Sequence, residues 1–401
     1  ISIKDYVMKT LIKNGKLFNS AGINGEICDI LIADDIIAGI APSEKGGPDS
    51  QADLVVDASD KIITPGLIDA HCHIGLMENT IGWAGDDVNE MSSPVTPELR
   101  GIDSVKPNDT AFECALKAGV TTVSTGPGSA NVIGGTFCIL KTAGKTVAEK
   151  TLVTESAMKM ALGENPKRVY GKGRNTLPGS RMGSAAVMRD WLYRAKEYKA
   201  KTDAYDALSE KEKKNKTKPP FDFKLDSLKR VFEGLPVKIH AHQEDDIETA
   251  IRICREFGLK DVSLDHCTAG WLIPETVKES GFSAILGPSM TGSTKYEVKN
   301  RTFKAAKVMK ENGILFAIMS DHYVVDISMT TTQLSLFVKA GLDYVSALEA
   351  VTINPAKILH IDDTLGSLEP GKKADVVIWN GDPLHYMSSP VQVYVDGIPR
   401  L

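Results

Sequence analysis

The stretch Ile62–Gly75, IITPGLIDAHCHIG, carries two histidines two residues apart. Ile62-Ile63-Thr64 enters a Pro-Gly turn, and Leu67-Ile68-Asp69-Ala70 then runs into His71-Cys72-His73. In an extended segment alternate side chains share a face, so His71 and His73 point one way and Cys72 the other. Two imidazoles projecting together from a strand end can bind one metal ion through neutral ring nitrogens. The pair is equally compatible with ordinary hydrogen-bonded histidines. VKIHAHQEDD repeats the spacing with His240 and His242, LDHCTAG ends an apolar run on His266, and FAIMSDHYV places Asp321 and His322 after another. Only His360 and His385 of the eight histidines lie away from such runs. Any one of the others fits a core position with a single hydrogen bond. Their convergence on strand ends calls for a shared partner.

The elements that must position these residues alternate in type. Strand candidates are Val120–Thr125, Val237–His242, Val262–His266, Ala284–Leu286 and Ile314–Met319. Helical patterns cover Thr110–Ala118, Met182–Ala195, Ile247–Phe257, Asn300–Glu311 and Thr330–Ala340. Such alternation implies an α/β fold with a parallel sheet, and at this length a TIM-like (β/α)8 barrel, which keeps its chemistry at the C-terminal ends of its strands. The two chain ends are β-rich. LIKNGKLF holds an Asn-Gly turn signal, ICDILIADDIIAGIAP reads as two strands around Asp34-Asp35, and ADVVIWNGDP and VQVYVDGIP repeat the character at the far end. Residues 1–61 and 362–401 are therefore expected to pair as one small β domain, with the barrel over 62–361.

Composition excludes several function classes. Of 401 residues, 42% are hydrophobic and 25% charged, with a formal net charge of -5, so nothing draws the chain to nucleic acid or acidic membranes. No apolar run reaches the ~18 residues needed to span a bilayer. Six scattered cysteines without a CxxC read as buried thiols in a reducing compartment, and the expected location is cytoplasmic. Met8 is a candidate start, which makes residues 1–7 an upstream extension. The lysine-rich stretch 199–220, KAKTDAYDALSEKEKKNKTKPP, interleaves Glu and Asp with its lysines and reads as a solvated insertion rather than a nucleic-acid patch.

Together, TPGLIDAHCHIG, His240, His266, Asp321 and the tail NPAKIL…LGSLEPGKKADVVIWNGDP resemble the amidohydrolase superfamily, and within it the imidazolonepropionase-like members, over about residues 10–398. The resemblance implies a metal-dependent hydrolase on a distorted (β/α)8 barrel whose chain ends form a β-sandwich. It carries His71, His73, His240, His266 and Asp321 over as metal ligands, with Asp321 and His266 as catalytic groups. One or two divalent transition ions, zinc foremost, are implied. Such an ion lowers the pKa of water toward ~7, and Asp321 would move the proton to the leaving nitrogen. Lys159, in SAMKMALGE, resembles the strand-four lysine that some members carbamylate to bridge two metals. A lysine buried there would have a lowered pKa and react with CO2 as the neutral amine; the alternative is an ammonium reaching solvent or a carboxylate such as Glu164.

Substrate contacts are expected from His242, Arg168, Tyr170 and Arg181, the arginines by bidentate contact with a carboxylate. The Gly-rich loop Gly126–Thr136 is expected to line the pocket, with Trp83 and Asp86-Asp87 in its wall. The expected activity is hydrolysis of a small-molecule C–N bond: an amide, lactam, urea, carbamate or short peptide. A ring deaminase is the alternative enzyme, although Gln243 stands where ring deaminases of the superfamily carry a proton-donating glutamate; imidazolone ring opening tolerates Gln. A non-catalytic assembly protein on the same fold would have lost ligands, and none is lost here. The resemblance also points to a homo-oligomer.

Overall fold

The computed structural model describes residues 8–19, 22–45, 52–78, 82–292 and 295–401; residues 1–7, read as an extension, lie outside it. The N-terminal strands are β1 (Lys9–Asn19), β2 (Gly22–Ala33), β3 (Ile36–Pro42), β4 (Leu54–Asp57) and β5 (Ile62–Pro65). Strands β1, β2 and β3 form an antiparallel meander that turns at Asp34-Asp35, as the sequence suggests. The Asn-Gly signal is not a hairpin. β1 runs straight through it with a bulge, where Asn14 takes φ 63° and its N–H donates to Asp29. Along its other edge β1 pairs first with β4 and then with β5, both parallel.

Beyond β5 the chain builds β6 (Leu67–Cys72), β7 (Val120–Thr125), β8 (Ile133–Lys141), β9 (Thr151–Ala161), β10 (Val237–Ala241), β11 (Val262–His266), β12 (Ser283–Leu286) and β13 (Phe316–Ile318). It ends in β14 (Val376–Trp379), β15 (Pro390–Val395) and β16 (Ile398–Pro399). The last three join the terminal sheet through β14, which pairs antiparallel with β5 from Ile62–Trp379 to Pro65–Val376. The two chain ends thus share one eight-stranded sheet. An isolated bridge from Ile36 to Lys373 brings its far edge back to the segment just before β14, and Ile12, Ile30, Ile37, Ile63, Val376 and Tyr394 pack in one apolar cluster. Ile62–Pro65, expected at the start of the barrel, belongs to this sheet.

Strands β6 to β13 follow one another in chain order around an eight-stranded, nearly closed barrel. At the seam Asp321 N–H donates to His71 O at 3.2 Å and His73 N–H to His322 O at 2.7 Å, so the residues after β13 are strapped to those ending β6. The barrel is mixed, not all parallel: β8 runs antiparallel to both β7 and β9. A parallel crossover takes a dozen or more residues. The connection from β7 to β8 is the Gly-rich loop alone, too short to carry the chain back, so β8 returns beside β7 in reverse. Gly134, Gly135 and Thr136, expected in that loop, are strand residues. Gly135 (φ 106°) accepts no side chain, since a Cβ would meet Leu99 O at 2.4 Å.

Helices pack between the parallel strands for ordinary reasons. In Glu244–Phe257 the residues Ile247, Ala250, Ile251, Cys254 and Phe257 make one buried stripe, three acidic residues occupy the first turn, and Gly258 in the left-handed conformation ends it. The lysine-rich stretch continues the helix Arg181–Asp206 and adds the short helix Glu210–Lys213. Its charges pair locally, as in Lys199–Asp203 and Lys201–Glu197, the behaviour of a solvated helix. Among the described residues no helix is long and apolar enough to cross a membrane.

Candidate metal centre

His71 is the penultimate residue of β6 and His73 lies just beyond its end, His240 and His242 flank the end of β10, His266 closes β11, and Asp321 follows β13. All six are buried and converge on one end of the barrel. Asp321 Oδ1 lies 3.2 Å from His73 Nε2 and 3.6 Å from His71 Nε2. Opposite, the His240 ring is 4.2 Å from that of His266 and 4.6 Å from that of His242, centroid to centroid. The two sets meet where the His71 and His266 rings stand 5.4 Å apart. His266 (φ 69°) and Asp321 (φ 54°) both hold the left-handed backbone region that non-glycine residues seldom adopt. Such strain persists only where surrounding structure over-determines it. Here backbone hydrogen bonds to Ala241 O and His71 O fix the two turns.

Hydrogen bonds assign the ring nitrogens. His71 Nδ1–H donates to Asp265 Oδ2 at 2.6 Å, His73 Nδ1–H to Gly126 O at 2.8 Å, and His266 Nδ1–H to Gly287 O at 2.9 Å. Carbonyls and carboxylates only accept, so in these three histidines Nε2 keeps the lone pair. His242 Nδ1 is 2.6 Å from Thr268 Oγ1. Burial pushes His71, His240 and His266 well below the usual imidazole range and His242 down to about 3, which keeps all four rings neutral at pH 7. His71 Nε2, His242 Nε2 and both nitrogens of His240 are buried without a hydrogen-bond partner. An unsatisfied buried polar atom costs about 1–3 kcal/mol, so four together require a partner. Two groups of ligand atoms, His71–His73–Asp321 and His240–His242–His266, are each close enough to hold a cation. Imidazole nitrogens with one carboxylate suit zinc, manganese or iron.

Supporting residues that the sequence reading passed over lie just behind these ligands. Asp265, fully buried, also accepts from Ser263 Oγ at 2.7 Å and pairs with Lys238 Nζ at 3.1 Å. Asp69 accepts from Ser320 Oγ at 2.5 Å and from its N–H at 3.0 Å, which fixes the residue before Asp321; burial raises its carboxyl to about 6. A sequence signal existed. Asp69, Lys238 and Asp265 are charged residues inside apolar strands, one or two places from a histidine.

Lys159 is buried in β9, in register with Lys238 of β10. Burial lowers its ammonium to about 8, and among the described residues no carboxylate lies within ion-pair distance; Glu164 is not its partner. His322 is not among the residues that line the cavity over these ligands, and its Nδ1 accepts the Ile327 N–H at 3.2 Å.

A cavity of about 260 Å³ opens over the centre, lined by His73, His240, His242, His266 and Asp321. Arg168 lines it too and, among the described residues, makes no ion pair. The other two expected substrate contacts need correction. Tyr170 does not face the cavity: its hydroxyl bonds Ser93 O at 2.7 Å and Asn131 Oδ1 at 2.5 Å, holding two loops together. Arg181 is held by Asp246, Nε lying 3.0 Å from Oδ2, and is also outside the cavity. The Gly-rich loop contributes Gly128, Ser129 and Ala130 to the lining, whereas the wall expected from Trp83 comes from Val88, Asn89 and Met91. Trp83 itself is 93% exposed.

Comparison with known proteins adds the following. The profile of the amidohydrolase family matches residues 62–399. The chain is 36% identical to an amidohydrolase of known crystal structure from Thermotoga maritima MSB8, with a TM-score of 0.91 over 98% of this chain and 99% of that one. Amidohydrolase tasK of Hapsidospora irregularis is 29% identical over 388 residues, 92% of this chain but 39% of that protein, so the chain spans about two-fifths of that relative. An imidazolonepropionase of Rhizobium rhizogenes is 24% identical over 368 residues, covering 85% of this chain and 83% of its own.

Proposed function

This chain belongs to the amidohydrolase family, and from that premise we propose that it is a metal-dependent hydrolase of a C–N bond in a small molecule. Amides, lactams, ureas, carbamates and dipeptides are the substrate classes. The observation that carries the reading is the pairing of unpartnered buried imidazole nitrogens with Asp321 at the floor of one cavity. His71, His73 and Asp321 would hold one ion, and His240 and His266, with His242 beside them, a second. A divalent ion there supplies Lewis acidity and lowers the pKa of water toward ~7.

The chain's own residues do the rest. Asp321 takes the proton of the attacking water at its carboxylate and delivers it to the leaving nitrogen. Asp265 with Lys238 holds His71 in one tautomer, and Ser320 on Asp69 holds Asp321 at the seam. Ring deamination remains the weaker reading, because Gln243 has no acidic proton and its amide donates to Glu297 O at 2.6 Å. The imidazolonepropionase match keeps ring opening of an imidazolone among the lactam-type reactions to be tested. The terminal sheet, with its edge bridged back on itself, supports a sandwich-like domain. The deciding experiment is a turnover screen of metal-loaded protein against lactams, hydantoins, ureas, carbamates, N-acyl amino acids and Xaa-Pro dipeptides. Ammonia, amine and acid are measured in parallel. Release of ammonia from ring amines with no amide cleavage would replace hydrolysis by deamination.

Lys159 is proposed as a carbamate bridge. Its amine nitrogen attacks the carbon of CO2, forming an N–C bond and losing one proton to solvent. Lys159→Ala should lower metal content from two equivalents to one. Because only the neutral amine reacts, reconstitution at fixed dissolved CO2 should quicken about tenfold per unit as pH rises toward 8 and level off above it. An unmodified Lys159 in a fully active one-metal enzyme would remove the bridge and leave the rest standing.

Arg168 is proposed to bind a substrate carboxylate. Substrates with a free acid should outperform their esters, and Arg168→Met should raise KM with a smaller change in kcat, the pattern of lost uniform binding. Equal turnover of acid and ester rejects this role.

A further inference from the structure

Glu297 is fully buried in the turn Tyr296–Val298, a segment beyond β12 with no metal-ligand spacing in its sequence. Its Oε1 stands 3.7 Å from His242 Nε2, 3.9 Å from His240 Nε2 and 3.1 Å from Lys295 Nζ. Its Oε2 accepts the Glu164 N–H at 2.8 Å. Gly163 (φ 85°) makes room for it, since a Cβ there would meet Oε2 at 2.7 Å. The loops after β9 and β12 therefore hold one carboxylate against the second pair of histidines.

His240 needs such a neighbour. Both of its ring nitrogens are buried without a hydrogen-bond partner. A neutral imidazole has one lone pair and one N–H. A cation satisfies the lone pair alone, and the N–H still requires an acceptor. His71 displays the completed arrangement, with Asp265 on its Nδ1. We propose that Glu297 is the corresponding positioning residue of the second set: it takes the His240 Nε2–H and leaves the Nδ1 lone pair for the ion. The 3.9 Å separation closes to hydrogen-bond length with a small ring rotation. The same oxygen faces His242, so one carboxylate sets the spacing of both rings.

The inference rests on the metal-centre reading, and its test separates the two. Zinc affinity is measured by chelator competition on full-length wild type, Glu297→Gln and Lys295→Met, alongside ¹⁵N-histidine spectra of metal-free protein in which His240→Asn assigns the resonance. Glu297→Gln, which keeps the shape, should weaken one metal equivalent about 10–100-fold, as loss of an outer carboxylate does. The His240 signal should move away from the Nε2–H tautomer. Lys295→Met cuts the loop tie but keeps the carboxylate, so its zinc affinity should not fall. Glu297→Gln binding both equivalents as the wild type does would overturn the inference alone, as would equal weakening in Lys295→Met, which would make Glu297 a loop tie. A wild type that binds no metal would overturn the metal centre with it.

Discussion

Asp321→Asn should fold, retain much of its metal, and lose at least ~10²-fold in kcat with a smaller change in KM. Asparagine keeps the shape of the side chain and one coordinating oxygen. The backbone turn at Asp321 is held by its N–H on His71 O and by Ser320 on Asp69, and neither contact involves the Asp321 carboxylate. The substitution therefore leaves the strained seam intact and removes only the ability to carry a proton. General acid–base catalysis is worth roughly 10²–10⁴-fold, and one group serving both water and leaving nitrogen would forfeit that factor. Steady-state kinetics on protein with matched metal content decide the matter. A metal-replete Asp321→Asn enzyme turning over near the wild-type rate would overturn the mechanism, whatever the substrate.

Replacing both His71 and His73 by Ala should remove about one equivalent of metal or more and reduce hydrolysis to the buffer rate. These two Nε2 atoms and Asp321 form one complete set of ligand atoms, so the loss leaves a lone carboxylate where three groups converged. Stability changes less simply. His71→Ala also strips Asp265 of its 2.6 Å partner inside the barrel, and leaving that acceptor short costs about 1–3 kcal/mol. Lys238 and Ser263 still hold Asp265, which limits the damage. The expected protein is folded, with a lowered melting temperature and little response to added zinc. Metal analysis and circular dichroism suffice. A well-folded double variant with undiminished metal would sink the site assignment.

Sequence alone reached whatever depends on local periodicity. The two-residue alternation of an extended chain puts His71 and His73 on one face wherever the strand lies, and the same holds for His240 and His242. Apolar runs ending in His266 and Asp321 announced strand ends, and the resemblance to a known family tied them to one barrel rim. Tertiary structure decided what depends on partners distant in the chain. The loop from Gly126 to Val132 is too short for a crossover, so β8 is reversed, a consequence of chain length that strand patterning does not register. Arg168 and Arg181 are the same residue type in one segment, yet only Arg168 faces the cavity, because Asp246 on another helix takes Arg181. Tyr170 is spent on Ser93 and Asn131 in the same way. Tautomers were equally beyond reach. Which nitrogen of His71 bears its proton is set by Asp265, 194 residues further on. A hydrogen bond across the barrel is short-ranged in space and unbounded in sequence, so only the folded chain shows which side chains remain available for chemistry.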